Sequence, residues 1–169
     1  MNIQLASGIG TGPTTLAAFD AALNITGIAN YNILCLSSVI PPNSKVTIQQ
    51  SGTAIPPSLM PGGWGDRLYV VMAEHRVDTP NVEAWAGIGW VQDPETNKGL
   101  FVEHEGESET AVRRDIEDSL NALMKTRGID FSPIHMEVTG GICTGTPICA
   151  MVVAVYQSSD WQNNATLIS

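Results

Sequence analysis

Two adjacent serines, Ser37 and Ser38, stand between the apolar run Ile33-Leu34-Cys35-Leu36 and the segment Val39-Ile40-Pro41-Pro42. Such a pair can be cut by its own chemistry. The Ser38 hydroxyl attacks the Ser37 carbonyl and exchanges the peptide bond for an ester. Elimination across Ser38 then releases the upstream chain, and water converts the remaining dehydroalanine to a pyruvoyl group. The product is an electrophilic, amine-reactive ketone built from the chain itself. The same pair also has an ordinary reading: serine favours turns and proline cannot donate to a ladder, so Ser-Ser before Pro-Pro suits a plain loop at a strand end.

Other groups of residues narrow the chemistry. Glu103-His104-Glu105-Gly106 closes the apolar stretch Gly99-Leu100-Phe101-Val102, and alternation puts Glu103 and Glu105 on one face. A carboxyl at the end of a buried strand serves as a proton donor where its surroundings disfavour the charge, and is otherwise a solvated carboxylate at a sheet edge. Gly8, Gly10 and Gly12 alternate ahead of a helical pattern, but Pro13 stands where a dinucleotide fingerprint needs its third glycine, and no Asp or Glu occurs from residue 21 to residue 65. We therefore read these glycines as a turn and expect no nucleotide. His75, His104 and His135 lack the spacing of a zinc site, and no G-x-S-x-G element is present. No metal is expected.

The chain has 169 residues, 43% of them apolar and 15% charged, which describes one globular domain over residues 1–169. Low charge also suits a protein with buried subunit faces. The net charge of −9 argues against nucleic acid and anionic membranes as partners and mildly attracts small cations. Cys35 reads as a small buried hydrophobe, and Cys143 and Cys149 have no metal spacing. The first residues do not form a signal peptide, and the longest apolar run, residues 148–156, is too short for a membrane helix, so a cytoplasmic location is expected.

The elements that would position these residues follow from periodicity. Residues 2–7 read as a strand, followed by a helix from Pro13 to Gly27 with Leu16, Phe19 and Leu23 toward the core and Asp20 beside that stripe. Residues 31–37 read as the next strand, and 41–65 as a long Pro/Gly/Ser-rich connection with one strand near 46–50. Strands follow at 67–77, 82–91 and 100–104. Ser108 caps a helix that runs to Arg127, with Val112, Ile116, Leu120 and Leu123 on its apolar face and Gly128 as its stop. Strands at 134–139 and 148–156 end the pattern, and the residues from Gln157 onward are expected to fray. Two helices among seven or more strands give an α/β or α+β sandwich with helices on the outer sheet faces.

Taken in order, Leu16-Ala17-Ala18-Phe19-Asp20-Ala21-Ala22-Leu23, Gly27-Ile28-Ala29-Asn30-Tyr31-Asn32, Leu36-Ser37-Ser38-Val39-Ile40-Pro41-Pro42 and Glu103-His104-Glu105-Gly106 resemble the pyruvoyl-dependent arginine decarboxylases. The resemblance spans most of the chain. It implies an α+β fold, a four-layer αββα sandwich, in a self-cleaved protomer that assembles as a homotrimer or hexamer with active sites between neighbouring subunits. It places the cut between Ser37 and Ser38, leaving residues 1–37 as the β chain and residues 38–169 as the α chain headed by a covalent pyruvoyl cofactor derived from Ser38. Asn32 matches the asparagine that assists processing, Glu103 the general acid, Asp20 the carboxylate that holds the distal cation of the amino-acid substrate, and Leu16 a residue of the same pocket. The implied reaction is decarboxylation of L-arginine to agmatine and carbon dioxide through a Schiff base.

Three residues depart from the family pattern: His104 where a tyrosine is expected, Ala29 where a glycine is familiar, and Tyr31 in place of a smaller residue. A larger Tyr31 narrows the pocket, which bears on substrate choice more than on processing. Other readings stay open at this point: a pyruvoyl-dependent decarboxylase of another amino acid, an N-terminal-nucleophile amidohydrolase using Ser38, and an uncleaved binding protein.

Overall fold

The structure, a computed structural model, describes residues 1–161. In chain order it contains β1 (Asn2–Thr11), α1 (Thr15–Thr26), β2 (Asn32–Cys35), β3 (Val39–Ile40), β4 (Lys45–Ile48), a 3-10 turn (Pro57–Leu59), β5 (Arg67–Val77), β6 (Glu83–Gln92), β7 (Gly99–Gly106), α2 (Glu109–Arg127), β8 (His135–Ile142) and β9 (Ile148–Ser159). One sheet has the strand order β2-β5-β9-β1-β4 and the other β3-β7-β6-β8.

Alternation along the strands separates three apolar interfaces. Ile3, Leu5, Val71, Ala73 and Val152 of the first sheet meet Ala86, Ile88, Trp90 and Phe101 of the second. The other face of the first sheet, with Ala6, Val70, Met151 and Val153, packs under Ala18, Ala22 and Leu23 of α1. The other face of the second sheet, with Val91, Leu100 and Val102, packs under Val112, Ile116, Leu120 and Met124 of α2. The layers therefore run helix, sheet, sheet, helix, the order expected from the sequence. The strand β9 is central and is covered on both sides from Ile148 to Tyr156, which is why its sequence is a continuous apolar run rather than an alternating one.

The helix α2 forms as its caps predict. The Ser108 hydroxyl accepts the Ala111 N–H, and Gly128 closes the end in the left-handed region at φ 64°. The helix α1 starts two residues later than expected. Thr14 is its N-cap, accepting the Ala17 N–H, so Pro13 lies before the helix rather than in its first turn. Its buried face is Ala18, Ala22, Leu23 and Thr26, while Leu16 is 67% exposed, contrary to the core position expected for it.

The alternating glycines explain that face. They extend β1 and the residue after it rather than forming a turn. A Cβ on Gly10 would stand 2.2 Å from the Ala18 carbonyl oxygen and the Ala22 nitrogen, and one on Gly12 would stand 2.7 Å from Ala17. The glycines let α1 lie directly on the strand, so small residues fill the contact and Leu16 is left outside it.

Candidate active site

β2 is an edge strand of the first sheet and β3 an edge strand of the second. Residues 36–38 carry the chain from one sheet to the other, so the Ser37–Ser38 bond lies on the crossing. The Leu36 N–H donates to the Val70 carbonyl at 2.8 Å on the first sheet. On the second, the Phe101 N–H donates to the Ser38 carbonyl at 2.8 Å, and Val39 pairs with Leu100 of β7. Between these anchors Ser38 takes φ 65°, a left-handed conformation that costs a non-glycine residue roughly 1–3 kcal/mol and persists only where surrounding contacts hold it. Ser37 is exposed and Ser38 half-buried.

The Ser38 hydroxyl donates to Glu103 Oε1. Glu103 reaches it because β7 alternates: Leu100 and Val102 face α2, while Phe101 belongs to the core between the sheets and Glu103 follows on the same side. Glu105 shares that face but is exposed. His104 points the other way and hydrogen-bonds with Ser119 Oγ of α2 at 2.8 Å, so this departure from the family pattern lies on the far side of the sheet from Ser38. Beside Glu103, the phenol of Tyr156 has its pKa pushed well above the ordinary value, first by burial and then by the negative charge of Glu103.

The remaining expected residues lie elsewhere in the protomer. Asp20 and Leu16 are both exposed on α1, beyond the first sheet from the Ser38–Glu103 pair. The neighbouring Phe19 ring carries the Arg76 guanidinium at 3.8 Å. Asn32 begins β2, and its side-chain amide donates to the Gly65 carbonyl at 2.5 Å. At about 3.3 Å per residue of extended chain, its five-residue separation from Ser37 amounts to roughly 16 Å. The protomer thus places Asn32 away from its own Ser37 carbonyl, at the opposite end of the strand. Tyr31 donates its hydroxyl to the Met60 carbonyl at 3.0 Å and lines a cleft of about 220 Å³ with Met60, Gly62 and Trp64. Cys35, expected in the core, is exposed, because its strand lies at the sheet edge with only Ile33 partly covered.

Two groups at the site escaped sequence reading. One is the Phe101 N–H, a backbone donor whose target depends only on strand register. The other is Tyr156, which sits in an uninterrupted apolar run and carries no local signal. Among the described residues, no group of three or more His, Cys, Asp or Glu side chains could hold a metal ion. No helix of the described residues is long and apolar enough to cross a membrane.

Ser38 thus combines a left-handed backbone, a hydroxyl on a carboxyl group and a carbonyl on a backbone donor, the groups that acyl chemistry within the chain would use. The residues also fit a pyruvoyl group at position 38, since the carbonyl that would flank the ketone already has its donor. The family model for pyruvoyl-dependent arginine decarboxylase matches residues 2–160. A protein of Halobacterium salinarum named pyruvoyl-dependent arginine decarboxylase is 34% identical over 160 residues, which cover 94% of this chain and 95% of that protein. Pyruvoyl-dependent arginine decarboxylase 2 of Archaeoglobus fulgidus is 28% identical over 72% of this chain and 74% of its own length. A protein of Methanosarcina mazei with the same name is 33% identical over 75% and 68%. The chain belongs to the pyruvoyl-dependent arginine decarboxylase family.

Proposed function

We propose that this single-domain chain cuts itself between Ser37 and Ser38 and uses the resulting group to decarboxylate L-arginine to agmatine and carbon dioxide. The observation that carries this reading is the left-handed Ser38 with its hydroxyl on Glu103, in a chain of this family. Attack of Oγ on the Ser37 carbon forms the ester C–O bond and breaks the C–N bond, and the hydroxyl proton ends on the freed Ser38 nitrogen. Loss of the Ser38 α-proton and of the Ser37 carboxylate across Cα–Cβ leaves a dehydroalanine end. Water then replaces its nitrogen, releasing ammonia and leaving the ketone.

The pyruvoyl group supplies a ketone that takes up the substrate α-amine and accepts the electron pair left when carbon dioxide departs. The chain's own residues do the rest. The Phe101 N–H stays on the residue 38 carbonyl, where it stabilises negative charge spreading onto that oxygen. Glu103, already in contact with the Ser38 side chain, delivers the proton to the former α-carbon. A carboxylate recognises guanidinium through two parallel hydrogen bonds, the role assigned to Asp20, with Leu16 as the apolar wall beside it.

Asp20 and Ser38 lie on opposite sides of the first sheet, and Leu16, Leu34 and Val39 are exposed apolar residues. These features support a homotrimer, or a pair of trimers, in which Asp20, Leu16 and Asn32 of one protomer complete the site of a neighbour. The cytoplasmic location expected from the sequence is part of this proposal.

Intact-mass measurement tests the reading. Active protein splits into fragments 1–37 and 38–169, the second lacking an amine at its first residue and trappable by borohydride in the presence of arginine. A single full-length chain with activity refutes it. A fragment that begins with intact serine favours a nucleophile hydrolase, and an amino-acid panel separates arginine from other substrates.

A further inference from the structure

β9 pairs with β5 in regular antiparallel register up to Val155, which faces Val70, and the next pair is Gln157 with Tyr69. Tyr156 is therefore the extra residue of a β-bulge. A bulge bends its strand, and bulges gather beside active sites; Tyr156 itself keeps the face of Ala150, Val152 and Ala154, the one toward the second sheet. Here the ring points into the space between the sheets and meets Phe101 edge-on, with centroids 6.2 Å apart at 68°. The hydroxyl crosses to the second sheet and donates to the Val39 carbonyl at 3.0 Å.

Val39 is the residue directly after Ser38. Three contacts hold the backbone around the Ser37–Ser38 bond: Leu36 N–H on Val70, Phe101 N–H on Ser38, and Tyr156 Oη on Val39. Of the three, only the last is made by a side chain, and it reaches from the first sheet to the part of the chain that follows the bond. β3 is two residues long, lies at a sheet edge, and leaves Val39 51% exposed, so its ladder alone is a weak hold on a left-handed serine. Once the bond is cut, the link through Ser37 is gone, and the new chain end keeps the Phe101 N–H on residue 38, the β3 ladder and Tyr156. Burial and the Glu103 charge keep the phenol protonated, and so a donor, across the pH range of a cell.

We propose that Tyr156 is a positioning residue: it fixes Val39 so that Ser38 is presented for self-cleavage, and afterwards keeps the new chain end beside Glu103. This rests on the reading of Ser38 given above. The test is Tyr156→Phe, which retains the ring and its packing on Phe101 but removes the donor. Self-cleavage of freshly made full-length chain, followed by intact mass, is expected to slow tenfold or more. In the cleaved fraction, counted by borohydride trapping with arginine, kcat is expected to fall several-fold with KM unchanged. Ile116→Val, on the buried face of α2 and remote from the site, serves as a control of lowered melting temperature and is expected to cleave at the wild-type rate. A Tyr156→Phe chain that cleaves and turns over like wild type overturns the inference. So does an Ile116→Val chain slowed to the same extent at equal loss of melting temperature. A wild-type chain that never splits refutes instead the reading of Ser38 on which this rests.

Discussion

Ser38→Gly and Ser38→Ala separate two properties of one residue, its hydroxyl and its left-handed backbone. Both variants lack the nucleophile, so both are expected to remain full-length, and both lose the hydrogen bond to Glu103 equally. They differ at φ 65°. An L-residue there crowds its Cβ against the following carbonyl at a cost of about 1–2 kcal/mol, which glycine escapes. Glycine also gains about 0.4–1 kcal/mol more freedom in the unfolded chain, which offsets part of that advantage. The glycine variant should be the more stable by roughly 0.5–1 kcal/mol. At about 2–4 °C per kcal/mol for a chain of this size, its melting temperature should stand about 1–4 °C above that of the alanine variant. The comparison is thermal unfolding at equal protein concentration, since assembly contributes to stability. An alanine variant that melts above the glycine variant removes the strain argument. Either variant found split between residues 37 and 38 removes the hydroxyl as the cause of cleavage.

Two further outcomes follow from the site and from the cysteines. Glu103→Gln should lower kcat for arginine about 10²–10⁴-fold, the usual contribution of a positioned general acid, with KM within a few-fold of wild type; an unchanged kcat assigns the proton to another donor. Burial, and then the negative charge of Glu74, push the Cys149 thiol up to about 12, and Cys143 is also buried, whereas Cys35 is exposed. An aromatic disulfide reagent at pH 8 should therefore count at most one thiol in the native protein and all three after denaturation; two fast native thiols contradict this packing.

What could be read in advance depends on how local its cause is. β5 was legible to the residue, 67–77, because a compact apolar run, Leu68 to Ala73, follows the Pro/Gly-rich connection and ends in polar residues before Val77. α2 was legible because Ser108 and Gly128 mark its ends and its buried residues recur at helical spacing, with Met124 covered more fully than the Leu123 expected there. The failures all come from contacts made far along the chain. The two residues of β3 carry no periodicity, and they become a strand only because β7 lies beside them. The glycines of β1 read as a turn because glycine signals flexibility locally, whereas here it makes room for a helix folded back on the strand. Leu16 and Cys35 look like core residues by type, yet α1 buries its alanines and β2 lies at an edge. Ser38 and Glu103 were singled out by the resemblance, and the structure brings them into contact, but the donor on the Ser38 carbonyl and the reach of Tyr156 to Val39 follow from strand register, which no short stretch of sequence encodes.

A site divided between two layers, as proposed above, would make a quantitative demand on the assembly. Asp20 lies on α1, outside the first sheet, and Ser38 and Glu103 lie at the mouth of the space between the sheets. If a neighbour supplies Asp20, a protomer that has lost Ser38 can still serve the protomer next to it. Ser38→Ala chains mixed with Asp20→Asn chains before assembly then form working sites wherever an intact pyruvoyl end faces an intact Asp20. In a ring with head-to-tail contacts and random equal mixing, that juxtaposition arises at about one interface in four, so about a quarter of wild-type activity per chain is recovered from two nearly inactive parents. A site complete within one protomer recovers none beyond the sum of the parents. The mixing experiment thus tells a shared site from a private one without a structure of the assembly, and its yield, rather than its mere occurrence, is what the geometry requires.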